Sequence, residues 1–200
     1  MRARFILRSK SKLVELREIK LQSKPKELIS ISNKATVPVL KISEKKILEE
    51  SLDIIRKYLC KLDLYKLGDY ENEVWKLIQT LDKEFKINLD KYKYSSRFEN
   101  CDSLLYRDKN ISFLKIVNNT LENNKFLFSN KITFIDYCIF PFVRQYRNVN
   151  IEWFENLNLI SLNNWFLSIS NSYEFKDIMK KYKVWSPNDK PIVTNFRYND

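Results

Sequence analysis

The sequence predicts an α/β half followed by an all-α half, and three observations carry that expectation. Strand-type patterning occurs only ahead of Gly68, the single glycine of the chain. Apolar residues at helical spacing run through the rest. At 200 residues, with 44% hydrophobic and 14% aromatic content, the chain can bury a sizeable core.

Taken in order, residues 1–8 (MRARFILR) are good helix formers without a breaker, so a helix is predicted to be under way at the first residue. Residues 14–17 alternate apolar and polar side chains and predict a strand. Pro25 then starts a short helix over 24–28. Residues 36–42 are β-branched and apolar, Ser43-Glu44-Lys45 is a polar turn, and 46–48 is a short strand, so a hairpin is predicted. From Ser51, the apolar residues Leu52, Ile55, Tyr58, Leu59 and Leu62 recur at helical spacing, giving a third helix that ends near residues 61–63. A linker follows near 62–69. Beyond it, Val74, Leu77, Ile78, Leu81 and Phe85 mark one helical face, and Ile111, Leu114, Val117 and Leu121 another. Residues 133–146 are mostly apolar and predict a buried helix, with two more near 157–170 and 175–182. The expected domains are therefore 1–61 and 69–186, with a tail over 187–200 in which no signal is found.

Composition removes several function classes. The three cysteines, Cys60, Cys101 and Cys138, form no CxxC pair, and the chain has no histidine, so disulfides, zinc and histidine-based catalysis drop out and no metal is expected. Cys138, between apolar neighbours, is expected as a core filler. No apolar run approaches the roughly 18 residues that span a bilayer. The basic start has no signal-peptide apolar centre or cleavage site, so a cytoplasmic protein with no membrane partner is expected. The net charge of +11 invites a nucleic-acid reading. The basic residues, however, are interleaved with Asp and Glu along every segment and form no recognised binding motif, so no nucleic-acid partner is expected. A positive field still favours a small anionic ligand.

Two short segments carry chemistry. In Ala35-Thr36-Val37-Pro38-Val39-Leu40, the proline cannot donate to a ladder and belongs at the edge or first residue of a strand, where the backbone before it stays free for another partner. Ten residues later, Glu50-Ser51-Leu52-Asp53-Ile54-Ile55 opens the third helix, whose unpaired N–H groups and positive partial charge suit a carboxylate. Alone, each segment has a plain explanation: an edge-strand proline, and an N-cap serine beside a common acidic neighbour. At this spacing, and followed by an all-helical half, they resemble the glutathione transferase family.

That resemblance implies a thioredoxin-like first domain and a helical-bundle second domain. It implies a cis bond at Val37-Pro38, with the N–H and C=O of Val37 pairing with the cysteinyl backbone of glutathione. Ser51 and its N–H would hold the γ-glutamyl carboxylate, and Glu50 the γ-glutamyl ammonium. Lys34 would meet the glycyl carboxylate, with a solvated lysine as the equal alternative. The family usually has a proline and a glycine in this loop, where Asn33 and Ala35 stand here, so a different loop path is open.

In the second half, Thr133-Phe134-Ile135-Asp136 resembles the family's capping box, a folding motif in which Thr and Asp each satisfy an orphan backbone N–H. The run through Pro141, expected to kink its helix, and the residues Trp153, Phe154 and Phe175 resemble a bacterial subgroup. In that subgroup Met-Arg-Ala-Arg directly follows a Cys-Pro or Ser-Pro motif in the loop after the first strand, and here those words are residues 1–4. The resemblance thus implies that the first strand and the catalytic Cys or Ser are missing from this chain, either because Met1 is an internal methionine with both upstream of it or because of a real truncation that has lost activity. Without that strand, the Val14 and Val37 strands would lack a shared partner and leave two rows of backbone groups unpaired.

By resemblance, glutathione is the co-substrate, a small electrophile or disulfide is the second substrate, and a homodimer is expected. Transferase activity depends on the upstream residue. Trp75, Tyr92 and Trp185 are unranked candidates for the second site, each with core packing as its simpler explanation. A catalytically silent interaction module and a basic nucleic-acid binder stand as alternatives.

Overall fold

The computed structural model describes residues 1–65 and 67–197; Lys66 of the predicted linker and residues 198–200 of the predicted tail lie outside the described residues. The chain forms two compact units, one of residues 1–59 together with 171–200, the other of residues 60–170.

The first unit begins with α1 (Arg2–Ser9), which buries Phe5, Ile6 and Leu7. It continues through β1 (Val14–Leu16), α2 (Lys26–Ile31), β2 (Leu40–Ser43), β3 (Lys46–Leu48) and α3 (Ser51–Tyr58). Helix α1 packs against α3, whose Ile54 and Ile55 are completely buried. Helix α2 runs to Ile31 rather than ending at 28, and two further boundaries differ from the sequence expectation. Residues 36–39 stay out of the ladder, which starts only at Leu40, because Pro38 has no N–H to give it. The third helix stops at Tyr58, where Leu59 turns extended, and a separate α4 (Lys61–Tyr65) follows; its first turn is held by the Cys60 N–H donating to Asp63 Oδ2 at 2.8 Å.

The second unit is helical, as expected. Gly68, at φ +56, opens a 3-10 turn before α5 (Glu71–Thr80). A single π turn over Leu81–Phe85 joins α5 to α6 (Lys86–Lys93) and keeps Leu81 and Phe85 in the core. Asp102 caps α7 (Ser103–Lys109) by accepting the N–H groups of Leu104 and Leu105, and α8 (Ile111–Thr120) buries Phe113, Leu114 and Val117. Helix α9 (Phe134–Arg147) is the centre of the unit, buried on nearly all sides including Cys138, and it continues through Pro141. Its first turn carries the expected capping box. Asp136, wholly buried, accepts the Thr133 N–H at 2.7 Å, the Leu127 N–H at 3.0 Å, the Trp165 indole N–H at 2.8 Å and the Thr133 hydroxyl at 3.3 Å. The remaining helices are α10 (Ile151–Glu155) and α11 (Ile160–Ser170).

The chain then returns to the first unit with α12 (Tyr173–Ile178) and β4 (Ile192–Thr194). Arg8 pairs with Asp177 at 2.6 Å, and Arg4 donates to the carbonyls of Ile178 and Lys180 and to Glu18, so α1 is clasped by this returning segment. The segment from 187 on, in which the sequence offers no signal, carries a strand. Strand β4 pairs antiparallel with β1, Val14 facing Thr194, Glu15 facing Val193 and Leu16 facing Ile192. The Trp185 N–H donates to the Glu18 carbonyl at 2.8 Å, and Phe196 is only 3% exposed. Strand structure therefore does not end at Gly68, and of the two backbone rows expected to stand open, the one on β1 finds a partner in the tail. Among the described residues, β1 with β4 and β2 with β3 form two separate two-stranded sheets.

Candidate functional site

The β2–β3 hairpin places the predicted binding residues. Leu40 faces Leu48 in its register. Val37 lies three residues before Leu40 and Ser51 three after Leu48, so the two leave the open end of the hairpin on facing strand extensions, within the short reach that three residues allow. The Val37–Pro38 bond is cis, as expected, and Val37 is 46% exposed.

Glu50, extended at φ −112 and ψ 139, is the N-cap of α3, and Ser51 is its first helical residue. This differs from a plain serine cap: no side-chain capping bond is made at this end. The Ile54 N–H closes the first helical turn on the Glu50 carbonyl at 3.1 Å, leaving the N–H groups of the first turn directed out of the helix end.

Lys34 reaches the same end. Its ammonium donates to Glu50 Oε1 at 3.0 Å, and both side chains are more than half exposed. That hydrogen bond, ahead of the Glu50 charge itself, holds the Lys34 ammonium above the usual lysine pKa. The structure thus brings Lys34 and Glu50 together directly, and Val37, Pro38 and Ser51 to the same hairpin end.

Two further residues at this end escape sequence reasoning. Ser32, at the C-terminus of α2, donates its hydroxyl to Glu49 Oε1 at 2.5 Å and accepts the Ala35 N–H at 3.1 Å. Serine and glutamate at that separation belong to no motif, and no local signal marks them.

Of the aromatic candidates, Tyr92 is buried against Tyr146, and Trp75 packs on Phe134 while its indole N–H donates to Glu71. Trp185 lies beneath the Arg17 guanidinium, 4.5 Å from its ring centre. Among the described residues no group of three or more acidic or cysteine side chains could hold a metal ion, and no helix is long and apolar enough to cross a membrane.

A small mixed α/β domain with a cis-proline loop facing a helix start, ahead of an all-helical domain, defines a transferase-type fold. The glutathione S-transferase N-terminal domain matches residues 1–63 and the glutathione S-transferase C-terminal domain matches residues 106–172, well over half of the chain together. The chain belongs to the glutathione S-transferase family.

Solved structures share the fold. Poplar glutathione transferase F1 is 23% identical with a TM-score of 0.68, over 89% of this chain and 90% of that one. The Tau class glutathione S-transferase of mango, Mangifera indica, is 22% identical with a TM-score of 0.70, over 90% and 87%. Gtt2 from Saccharomyces cerevisiae is 16% identical with a TM-score of 0.66, over 89% and 94%. Among curated proteins, none matches the chain by sequence.

Proposed function

We propose that this chain binds glutathione at the open end of the β2–β3 hairpin and passes its thiol to an electrophile or, by exchange, to a disulfide. The observation that carries this is the convergence of a cation, an anion, an exposed backbone edge and a helix N-terminus at one hairpin end. Glutathione offers the complementary set: two carboxylates, one ammonium and a peptide backbone between them. Ser51, through its hydroxyl and the N–H groups of the α3 start, takes the γ-glutamyl carboxylate. Glu50 takes the γ-glutamyl ammonium, the backbone of Val37 ahead of Pro38 pairs with the cysteinyl residue, and Lys34 takes the glycyl carboxylate. The Lys34–Glu50 pair opens to do so at little cost, because exposed ion pairs contribute about 0–1 kcal/mol. Once the thiol of glutathione ionises, its sulfur forms a bond to the electrophilic carbon as the leaving group departs. On a disulfide, the thiolate displaces one sulfur and forms a mixed disulfide. In the same proposal the protein is a cytoplasmic homodimer that needs no metal.

Binding and turnover are tested apart, since the residues named here hold glutathione and none of them contacts its sulfur. Calorimetric titration of the wild-type protein with glutathione is expected to give one site per chain. The Glu50→Ala and Ser51→Ala variants are each expected to weaken it on the order of tenfold, the size of a lost hydrogen bond to a charged group. No binding by the wild type at millimolar glutathione overturns the proposal. Thiol consumption with a chlorodinitrobenzene or with hydroxyethyl disulfide reports transfer; binding without either leaves a silent glutathione-binding module.

A further inference from the structure

Ser32 and Glu49 have no role in the binding scheme, yet each adjoins a residue that does. Ser32 is 1% exposed and caps α2, and both its hydroxyl oxygen and its carbonyl accept the Ala35 N–H, at 3.1 and 3.0 Å. Ala35 is left-handed at φ +46, which closes a tight turn over residues 32–35 with Lys34 on it. Glu49 directly precedes Glu50, the cap of α3. The 2.5 Å bond from the Ser32 hydroxyl to the Glu49 carboxylate therefore joins two segments 17 residues apart, one carrying the cation and the other carrying Glu50 and Ser51.

The second link between the same segments, Lys34 to Glu50, is exposed on both sides and must open for a ligand. The Ser32–Glu49 bond is charge-assisted and made by a buried hydroxyl, and it survives that opening.

We infer that Ser32 and Glu49 are positioning residues that fix the distance between the turn carrying Lys34 and the α3 N-terminus, and so select a γ-glutamyl tripeptide, whose second carboxylate lies on the glycyl residue, over the shorter γ-glutamyl dipeptide. The inference rests on the proposed glutathione site and adds a length rule to it. A rigid spacing between two charge-recognition points favours the one ligand whose own charges match it, because less freedom is lost on binding.

The probes are glutathione and γ-glutamylcysteine, which lacks the glycyl residue and carries its second carboxylate on the cysteinyl residue instead. Dissociation constants for both are measured by calorimetry on the wild type, Glu49→Ala, Ser32→Ala and Ser32→Thr, with circular dichroism to check that each variant is folded. The wild type is expected to prefer glutathione. Glu49→Ala and Ser32→Ala are expected to lose glutathione affinity by about fivefold or more while γ-glutamylcysteine stays within about twofold, so the preference collapses. Ser32→Thr keeps the hydroxyl and is expected to keep the preference. Should Ser32→Ala fail to fold, Glu49→Ala, at a half-buried position, carries the test. Equal losses on both ligands would mean that the pair only supports the fold, and unchanged affinities would mean that it does nothing for the site; either overturns the inference. A wild type that binds both ligands equally defeats the length rule alone, whereas a wild type that binds neither defeats the proposed glutathione site and the rule with it.

Discussion

Asp136 and Glu50 are both acidic side chains at the start of a helix, and the protein holds them in opposite ways. Asp136 is completely buried, and its two oxygens accept four hydrogen bonds, three of them from nitrogens that have been taken out of water with it. Glu50 is more than half exposed and its bond to Lys34 joins it to a second exposed side chain. A buried acceptor enclosed by protein donors has no capacity left for a ligand, and its removal strands every donor around it. An exposed acceptor with an exchangeable partner can be handed to a ligand with little loss to the fold. The capping box and the proposed binding site both use a carboxylate at a helix start, Asp136 at the third position of α9 and Glu50 at the cap of α3, and burial separates the two uses.

The largest test of that contrast is Asp136→Ala. It leaves the indole N–H of Trp165 and the backbone N–H groups of Leu127 and Thr133 without their acceptor in the core of the second unit. With each stranded buried donor costing about 1–3 kcal/mol, a loss of about 4 kcal/mol or more is expected in urea denaturation. A loss below about 1 kcal/mol would make Asp136 no different from Glu50 and remove the contrast.

A second test uses pH. Burial pushes the Asp136 carboxyl up from 3.8 to about 6, against the pull of the donors of Leu127, Thr133 and Trp165. Between those values the folded protein keeps a proton that the unfolded chain has released. The contribution of this group to stability is therefore full below about 3.8 and is lost as pH rises through about 6, a change on the order of 3 kcal/mol. Other carboxylates titrate over the same range, so the quantity to measure is the stability of the wild type minus that of Asp136→Asn. This difference is expected to fall between pH 4 and 6, roughly the interval between the two pKa values, and to level above it. A difference that is flat with pH would place the carboxyl at its ordinary value in spite of its burial.

The same two clusters bear on how much is legible in the sequence. The Thr133-to-Asp136 box, the hairpin and the start of α3 rest on residues within a few positions of each other, where spacing and residue type decide the outcome. What escapes is contact across the chain. Ile192-Val193-Thr194 is β-branched throughout, but three residues form a weak strand signal, and its partner, Val14 to Leu16, stands at the far end of the sequence. The Trp165 indole on Asp136 is separated from it by 29 positions, and the Ser32–Glu49 bond spans 17 with no motif to mark either residue. Lys34 is instructive in another way. The sequence leaves it between a ligand contact and a solvated lysine; the structure pairs it with Glu50, another predicted contact, because two opposite charges at one hairpin end satisfy each other.

The smallest expected effect is the one that decides whether that pairing belongs to the fold. In Lys34→Ala, Glu50 loses its cation but stays in water at a helix N-terminus, where the positive end of α3 continues to favour its charge. No buried group is stranded, and the Ser32–Glu49 bond still ties the turn to the start of α3. Stability in urea is therefore expected to change by less than about 1 kcal/mol. A loss of about 2 kcal/mol or more would mean that the pair holds the hairpin end together as the Asp136 cluster holds the start of α9, and Glu50 would then be no more available to a ligand than Asp136 is.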